Sequence, residues 1–263
     1  MEPQQFHRFM TGTRPIDLDG IDWDAIPRHS LNDDTVRVVQ YMQDVESHTV
    51  VFPRTIFSKR ALDDEHIGPF LICWLYEETM HGRALSKFLA CAGRPVPPRA
   101  HIRTTLRDRI DRALTGALSS LWKDFLALHM AWGAAHECTT IQAYRRLIAQ
   151  NDHPVLNELL HRILRDEARH FAFYVWQAEE RLARPGVARK VRAIMDRLYA
   201  PVGAAHHAGD DACWVSAFLF DGADGRQAAR HVDETLSKLP GFSDASLLGG
   251  WLARNVYRDT LVS

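Results

Sequence analysis

Two acidic motifs, each with a histidine one helical turn further on, lie in apolar surroundings. EETMH (77–81) sits between Trp74 and Leu85, and DEARH (166–170) precedes the apolar run FAFY. Acidic side chains are seldom buried without a partner that neutralises them. A glutamate and a histidine three residues apart lie on one face of a helix, where both can bind the same metal ion. The two motifs therefore predict a metal site inside a helical protein.

The Glu-x-x-His spacing occurs a third time, at Glu158 and His161, so the spacing alone is weak evidence. With 14 histidines in the chain, such pairs also arise by chance. Glu158 lies nine residues before Glu167, which is a half-integral number of helical turns and about 13 Å along the helix axis. This third pair therefore faces away from the motif that follows it, and we interpret it as solvated surface.

Helical hairpins provide a test of position for the other two pairs. Two antiparallel helices joined by a short loop bring residues level when these are equidistant from the loop. Reflection through a loop near 152 carries Glu137 onto Glu167, and reflection through a loop near 62 carries Glu46 onto Glu78. Each hairpin therefore offers one lone glutamate beside one Glu-x-x-His pair. The predicted ligands are Glu46, Glu78 and His81 from the first hairpin and Glu137, Glu167 and His170 from the second.

Four carboxylates and two imidazoles are the ligand set of di-iron and di-manganese carboxylate bundles. Oxygen and nitrogen donors in this number suit iron or manganese better than zinc, which is usually four-coordinate. The alternative interpretation is a set of unrelated residues in surface salt bridges. Glu77 and Asp166, each next to a ligand, point about 100° away from it. We expect each to accept a hydrogen bond from the ligand histidine of the other hairpin; the alternative for both is an exposed helix face.

The elements that position these residues are predicted to be helices, because no alternation of period two persists along the chain. Asn32 is a helix N-cap, Gly93 is a left-handed cap before PVPP, and Pro154 occupies a first helical position. Pro53 ends or kinks the first helix. The predicted helices are 32–53, one that begins at Asp63 or Asp64 and ends near 92, a basic connecting helix at 100–118, 121–150, 154–184 and 187–200, with one or two more after 208. The fold class is all-α, and helices of this length favour a bundle.

Composition excludes several classes of protein. The chain has 263 residues, 46% of them hydrophobic, which is enough for one large core or two small ones. A formal net charge of −1 favours neither nucleic acid nor anionic lipid as a partner. The apolar runs are too short to span a membrane, and the start MEPQQFHRFMTG has no apolar stretch typical of a secretory signal. Four widely spaced cysteines predict neither disulfides nor a thiolate zinc site, so a cytoplasmic protein is expected.

The motifs together resemble those of the soluble acyl-ACP desaturases, within the ferritin-like di-iron superfamily. EETMHGRALSKFLACAGR (77–94) is similar to their EExxHG motif, and RDEARHFAFY (165–174) to their DExRH motif. HECTTIQAYRRL (136–147) is similar to their third helix, which carries a glutamate followed three residues later by a threonine. The resemblance covers roughly 35–185. It implies a ferritin-like four-helix bundle, to which we assign 32–206. The resemblance does not extend to the termini. Residues 1–31 are aperiodic and are expected to form an arm laid over the core, and 207–263 are expected to form a helical extension packed on the bundle.

The resemblance also implies site chemistry. Two iron ions, or an iron–manganese pair, would be held by the six ligands, with Glu78 and Glu167 bridging. Thr140 would help to handle protons when dioxygen is activated; the alternative is a helix-interior threonine that bonds its own backbone. A ferredoxin-like donor would supply electrons, and the substrate would be an acyl-carrier-linked or small molecule, as in lipid metabolism. A homodimer is expected. The basic residues near 100–112 could face an acidic carrier, although a solvated face is the simpler interpretation.

Residues one turn from the ligands are expected to shape an apolar substrate cavity, with Gly133 leaving space for the substrate. These residues are Met42, Trp74, Met130, Gly133, Phe171 and Tyr174. The alternative is plain core packing.

Two other functions stay open at this point: a di-iron oxygenase, either a hydroxylase or an N-oxygenase of a biosynthetic pathway, and iron storage. The extra helices and long termini argue against iron storage.

Overall fold

A computed structural model describes residues 2–48, 59–97, 122–204 and 209–257, and all the regular structure in these ranges is helical. The all-α prediction is thus confirmed. The α-helices are α1 (Glu2–Gly12), α2 (Asp33–His48), α3 (Lys59–Leu62), α4 (Ile67–Cys91), α5 (Phe125–Gln150), α6 (Pro154–Leu182), α7 (Val187–Leu198), α8 (Gly209–Phe220), α9 (Gly222–Leu236) and α10 (Leu248–Asn255). A 3₁₀ helix spans Trp23–Arg28. The predicted connecting helix at 100–118 and the predicted stop at Pro53 lie outside the described residues.

The chain divides into two compact units. The first comprises Met1–His129 and His153–Asp166, and the second Met130–Asp152 and Glu167–Ser263. Each of the two segments of the first unit ends inside a continuous helix, at His129 in α5 and at Asp166 in α6. Within the described ranges, no helix is both long and apolar enough to cross a membrane.

In the first unit, α2 packs along α4. The side chain of Asn32 accepts a hydrogen bond of 2.6 Å from the Thr35 N–H and so caps α2, as predicted. At the same end of the pair, where Arg94 forms a salt bridge of 3.0 Å with Asp33, Gly93 follows α4 with a φ of 64°. The N–H groups of Gly93 and Arg94 bond to the carbonyls of Ala90 and Leu89, which is a Schellman cap. Local sequence thereby fixes the start of α2, which carries Glu46, and the end of α4, which carries Glu78.

The helix α4 begins at Ile67, three or four residues later than predicted. The Asp64 carboxylate accepts hydrogen bonds from the N–H groups of His66 and Ile67, at 3.1 and 3.0 Å. Asp64 therefore acts as a cap outside the helix, not as its first residue.

The segment before α2 was expected to be an aperiodic arm, but it contains α1 and the 3₁₀ helix. Both elements pack on α4. Phe9 of α1 is buried against Phe70, with ring centroids 4.8 Å apart. Local periodicity is weak over these few residues, so tertiary packing decides their helical state.

Between 209 and 257 the second unit has three helices, where one or two were predicted. The buried ends of these helices are capped by side chains from other elements. Arg146 and Gln150 of α5 donate to the carbonyls of Leu219 and Phe218 at the end of α8. Asp233 of α9 accepts the Leu248 and Gly249 N–H groups at the start of α10, at 2.9 and 3.0 Å. Such caps satisfy backbone groups that have no partner within their own helix. The capping side chains are distant in sequence, so no local signal predicts them.

His153 fastens the start of α6 to the N-terminal segment within the first unit. Its Nδ1 accepts the Leu156 N–H at 3.2 Å, and its Nε2 lies 3.3 Å from the carbonyl oxygen of Ile26. The ring is buried against Phe88, and the ring of His29 lies 5.4 Å away. Burial lowers the pKa of His153 below its ordinary value of 6.5.

This arrangement predicts an acid-dependent loss of stability. Because the folded protein holds His153 neutral, the unfolded chain binds a proton more readily, so the stabilisation is complete above about pH 6.5 and declines as the pH falls. We expect His153→Asn, which keeps a capping side chain but does not titrate, to flatten the fall in unfolding free energy below pH 6.5. Urea denaturation of the metal-free protein at several pH values measures the unfolding free energy of both proteins. An unchanged slope would contradict the assignment.

Candidate metal centre

The first unit brings three predicted ligands together. Glu46 lies on α2, and Glu78 and His81 lie on α4, all with less than a tenth of their surface exposed. The Nδ1 atom of His81 is 3.8 Å from Glu46 Oε2 and 3.9 Å from Glu78 Oε1. Each residue offers a ligand atom within 4.8 Å of those of the others. We call these three residues the first cluster.

The separations in the first cluster fit a metal ion better than direct contacts. At 3.8 and 3.9 Å the histidine and carboxylate atoms are too far apart for hydrogen bonds to each other. Two ligand atoms on one ion, each at about 2.1 Å, can be up to roughly 4.2 Å apart. An ion placed among these atoms would also supply the positive charge that two buried carboxylates require.

Asp166 sets the orientation of the His81 ring. Its Oδ2 lies 3.2 Å from Nε2 of His81, on the side of the ring opposite Nδ1. A hydrogen bond from Nε2–H to this carboxylate fixes the tautomer in which Nδ1 carries a lone pair, directed at the glutamates. This is the contact that the sequence analysis assigns to Asp166, and it holds a metal-ligating histidine in position.

The second unit brings the other three predicted ligands together. Glu137 lies on α5, and Glu167 and His170 on α6, at 5%, 1% and 0% exposure. Their ligand atoms lie within 4.8 Å of one another, and Nδ1 of His170 is 3.4 Å from Oε2 of Glu167. We call these residues the second cluster. All six predicted ligands are buried, so the alternative of surface salt bridges is wrong.

Glu77 is fully buried, so the alternative of an exposed helix face is wrong for this residue. Its Oε1 accepts a hydrogen bond of 3.3 Å from the backbone N–H of Arg14. Arg14 carries no chemical signal for this role, because only its main chain takes part. Sequence reasoning therefore missed it.

The third Glu-x-x-His pair lies on the surface, as predicted. Glu158 forms a salt bridge of 2.7 Å with Arg162, with about half of the Glu158 side chain exposed. His161 is exposed and its Nδ1 lies 2.7 Å from the Asn157 carbonyl oxygen. The pair provides a matched control for the two buried ones.

Thr140 is half-buried on α5, three residues after Glu137. Its neighbour Thr139 is the buried hydroxyl, bonded at 2.8 Å both to the Ala135 carbonyl oxygen and to the hydroxyl of Tyr199. Burial raises the pKa of Tyr199 well above its usual range, so the phenol stays protonated. The TT pair at 139–140 did not indicate which hydroxyl lies inside.

The two histidines of α5, His129 and His136, are half-buried at the edge of the core. Burial lowers the pKa of His129 to about 4. The Nε2 atom of His136 lies 2.9 Å from the indole nitrogen of Trp132 and 3.1 Å from the carbonyl oxygen of Ala200.

The residues expected to shape a cavity divide by burial. Met42, Met130 and Tyr174 are buried, and Trp74, Gly133 and Phe171 are half-buried. The sequence predicted that Gly133 leaves space for a substrate, but the ring of Tyr174 fills that space. A Cβ atom there would lie 2.2 Å from the ring of Tyr174. The glycine therefore accommodates a close approach of α6 to α5 within the second unit.

Comparison of the chain with protein-family models, with curated protein sequences and with solved structures gave no match. The resemblance to the desaturases thus stays a prediction that depends on the motifs alone.

Gly82 lets α2 and α4 approach at the first cluster. A Cβ at this position would lie 2.6 Å from Oγ of Ser47 and 3.3 Å from Cβ of Glu46. We therefore expect Gly82→Ala to push the two helices apart and to reduce the unfolding free energy by about 1–3 kcal/mol. Urea denaturation measures this, with the exposed neighbour Arg83→Ala as the control.

Adding Ser47→Ala should recover part of the lost stability, because it removes the nearest clashing atom. A Gly82→Ala variant as stable as Arg83→Ala would show that the helices are not in close contact here.

Proposed function

We propose that this protein is an O₂-dependent, non-haem di-iron oxidoreductase in which the two clusters bind two iron ions as one dinuclear centre. Glu46, Glu78 and His81 would hold one ion and Glu137, Glu167 and His170 the other, with Glu78 and Glu167 bridging. The observation that supports this best is the burial of all six ligands at ion-sized separations within each cluster.

The connection between the clusters is supported by the course of α6. Asp166, which contacts His81 of the first cluster, directly precedes Glu167 of the second cluster in the same helix. This adjacency within one helix is expected when the two ligand sets serve one centre.

The donor chemistry favours iron over zinc. Carboxylates with imidazole suit redox-active iron or manganese, whereas structural zinc sites usually contain thiolates and four ligands. When bound, a reduced iron pair supplies the activation of dioxygen, with electrons from a ferredoxin-like donor. The protein's own residues then have three tasks: they hold the ions, orient the imidazoles through carboxylates such as Asp166, and exclude water through apolar neighbours such as Met42 and Met130.

The proposed reaction is removal of hydrogen from an unactivated C–H bond of an acyl or related substrate, as the motif resemblance implies. A second candidate, oxygen insertion into a smaller substrate by a hydroxylase or an N-oxygenase, gains support from one observation. The ring of Tyr174 fills the space over Gly133, where a long acyl chain would otherwise have room beside α5.

Metal loading tests the centre. We expect the anaerobic protein to bind two ferrous ions per chain, and Glu78→Ala or Glu167→Ala to abolish binding of at least one, because each removes a bridging carboxylate. Glu158→Ala is the matched control from the exposed Glu-x-x-His pair and should bind two. Mössbauer spectroscopy and iron analysis measure the stoichiometry, with circular dichroism to verify folding. Equal binding by all four proteins would overturn the proposal.

The reaction product distinguishes the two candidate chemistries. A desaturase gives an alkene with the carbon skeleton unchanged, whereas an oxygenase incorporates an atom from dioxygen. We expect no label in the organic product when the reduced protein, an acyl substrate and ¹⁸O₂ are combined and analysed by mass spectrometry. Incorporation of ¹⁸O would favour the second candidate.

A further inference from the structure

The N-terminal arm runs along α4 in parallel register. Residues 6 to 10 of the arm contact residues 66 to 73 in the same order along the chain. Residue 66 directly precedes α4, and the others lie on it. The contacts are Phe6 with His66 at 4.8 Å between ring centroids, Phe9 with Phe70 at 4.8 Å, and Met10 Sδ with Cys73 Sγ at 3.9 Å. This register places the arm beside the acidic motif that follows on α4.

The next contact in the series is polar. The N–H of Arg14 donates to Oε1 of Glu77 at 3.3 Å, whereas Arg14 itself is exposed. Glu77 has no exposed surface, so its carboxylate depends on protein donors. A hydrogen bond to an ionised carboxylate is stronger than one between neutral groups.

Glu77 is also the residue that the sequence analysis pairs with a ligand histidine. A carboxylate that accepts a hydrogen bond from a metal-bound imidazole sets the orientation and basicity of the ring. The direction of that carboxylate is in turn set by its other hydrogen bonds. A donor on one oxygen of Glu77 therefore influences how the other oxygen is presented.

We infer that the N-terminal arm is a positioning element of the metal centre, with the main-chain N–H of Arg14 orienting Glu77 and, through it, a ligand histidine. This inference depends on the proposed di-iron function. It assigns to the arm a role in metal affinity, beyond covering the apolar face of α4. Arg14 acts through Glu77 and is not a catalytic residue.

A pair of substitutions at one position isolates the N–H group. Arg14→Pro removes the donor, whereas Arg14→Ala keeps it and removes only the exposed side chain. We expect Arg14→Pro to weaken ferrous binding at one of the two ions by up to about 10-fold. Removing Glu77 itself, the expected partner of the ligand histidine, should cost about 10–100-fold. Arg14→Ala should bind iron like the unmodified protein. Anaerobic titration followed optically, with Mössbauer spectra of the loaded proteins, measures both.

A double-mutant cycle separates positioning from a general loss of structure. If Arg14 acts through Glu77, Arg14→Pro should have no further effect on iron affinity in a Glu77→Ala protein. An equal loss in both backgrounds, or an Arg14→Pro protein that binds iron like Arg14→Ala, would overturn the inference. Failure of the unmodified protein to bind two ions would instead overturn the proposed function.

A second variant serves if Arg14→Pro does not fold by circular dichroism. Phe9→Ala loosens α1 from Phe70 without touching the polar contact. We expect it to weaken iron binding in the same direction but less, and only while Glu77 is present. A Phe9→Ala protein with unchanged iron affinity would contradict the inference that the arm positions the metal centre.

Discussion

The burial of several carboxylates close to one another is the constraint on which this structure depends. Glu46, Glu77 and Glu78 are each less than a tenth exposed, and Nδ1 of His81 lies 3.8 Å and 3.9 Å from the carboxylates of Glu46 and Glu78. An uncompensated buried charge costs several kcal/mol, so such a group persists only where something neutralises it. A divalent ion does so with two charges in one small volume. The long, well-capped helices are then best understood as the frame that holds these acids at fixed separations.

The frame was largely predictable because its signals are local. Asn32, Gly93 and Pro154 mark helix ends by their own backbone chemistry, and each acts where the sequence placed it. The missed helix α1 has a different origin. Its apolar residues are too few to show a period, and contact with α4 gives it its stability. The sequence also placed the start of α4 too early, because Asp64 caps the helix from outside.

The ligands were predictable for a geometric reason, since a hairpin converts sequence distance from its loop into height along the bundle. Distance from the loop identifies which residues are level but not what surrounds them. The filling of the space at Gly133 by Tyr174 depends on ring packing, and the burial of Thr139 in place of Thr140 depends on helix rotation. The contact between Arg14 and Glu77 is harder still to predict from sequence, because the donor is a main-chain N–H that every residue except proline carries.

The two acids that flank the ligands show how near-symmetric sequence motifs acquire different surroundings. Asp166 contacts the ring of His81 and is partly exposed, whereas Glu77 is completely buried and receives a hydrogen bond from the arm. A carboxylate near water is stabilised by solvent as well as by its partner, but a buried one depends on its protein donors alone. The arm therefore affects the two acids unequally. Two ions held by matching ligand sets would then differ in affinity, and the difference would originate outside the ligands themselves.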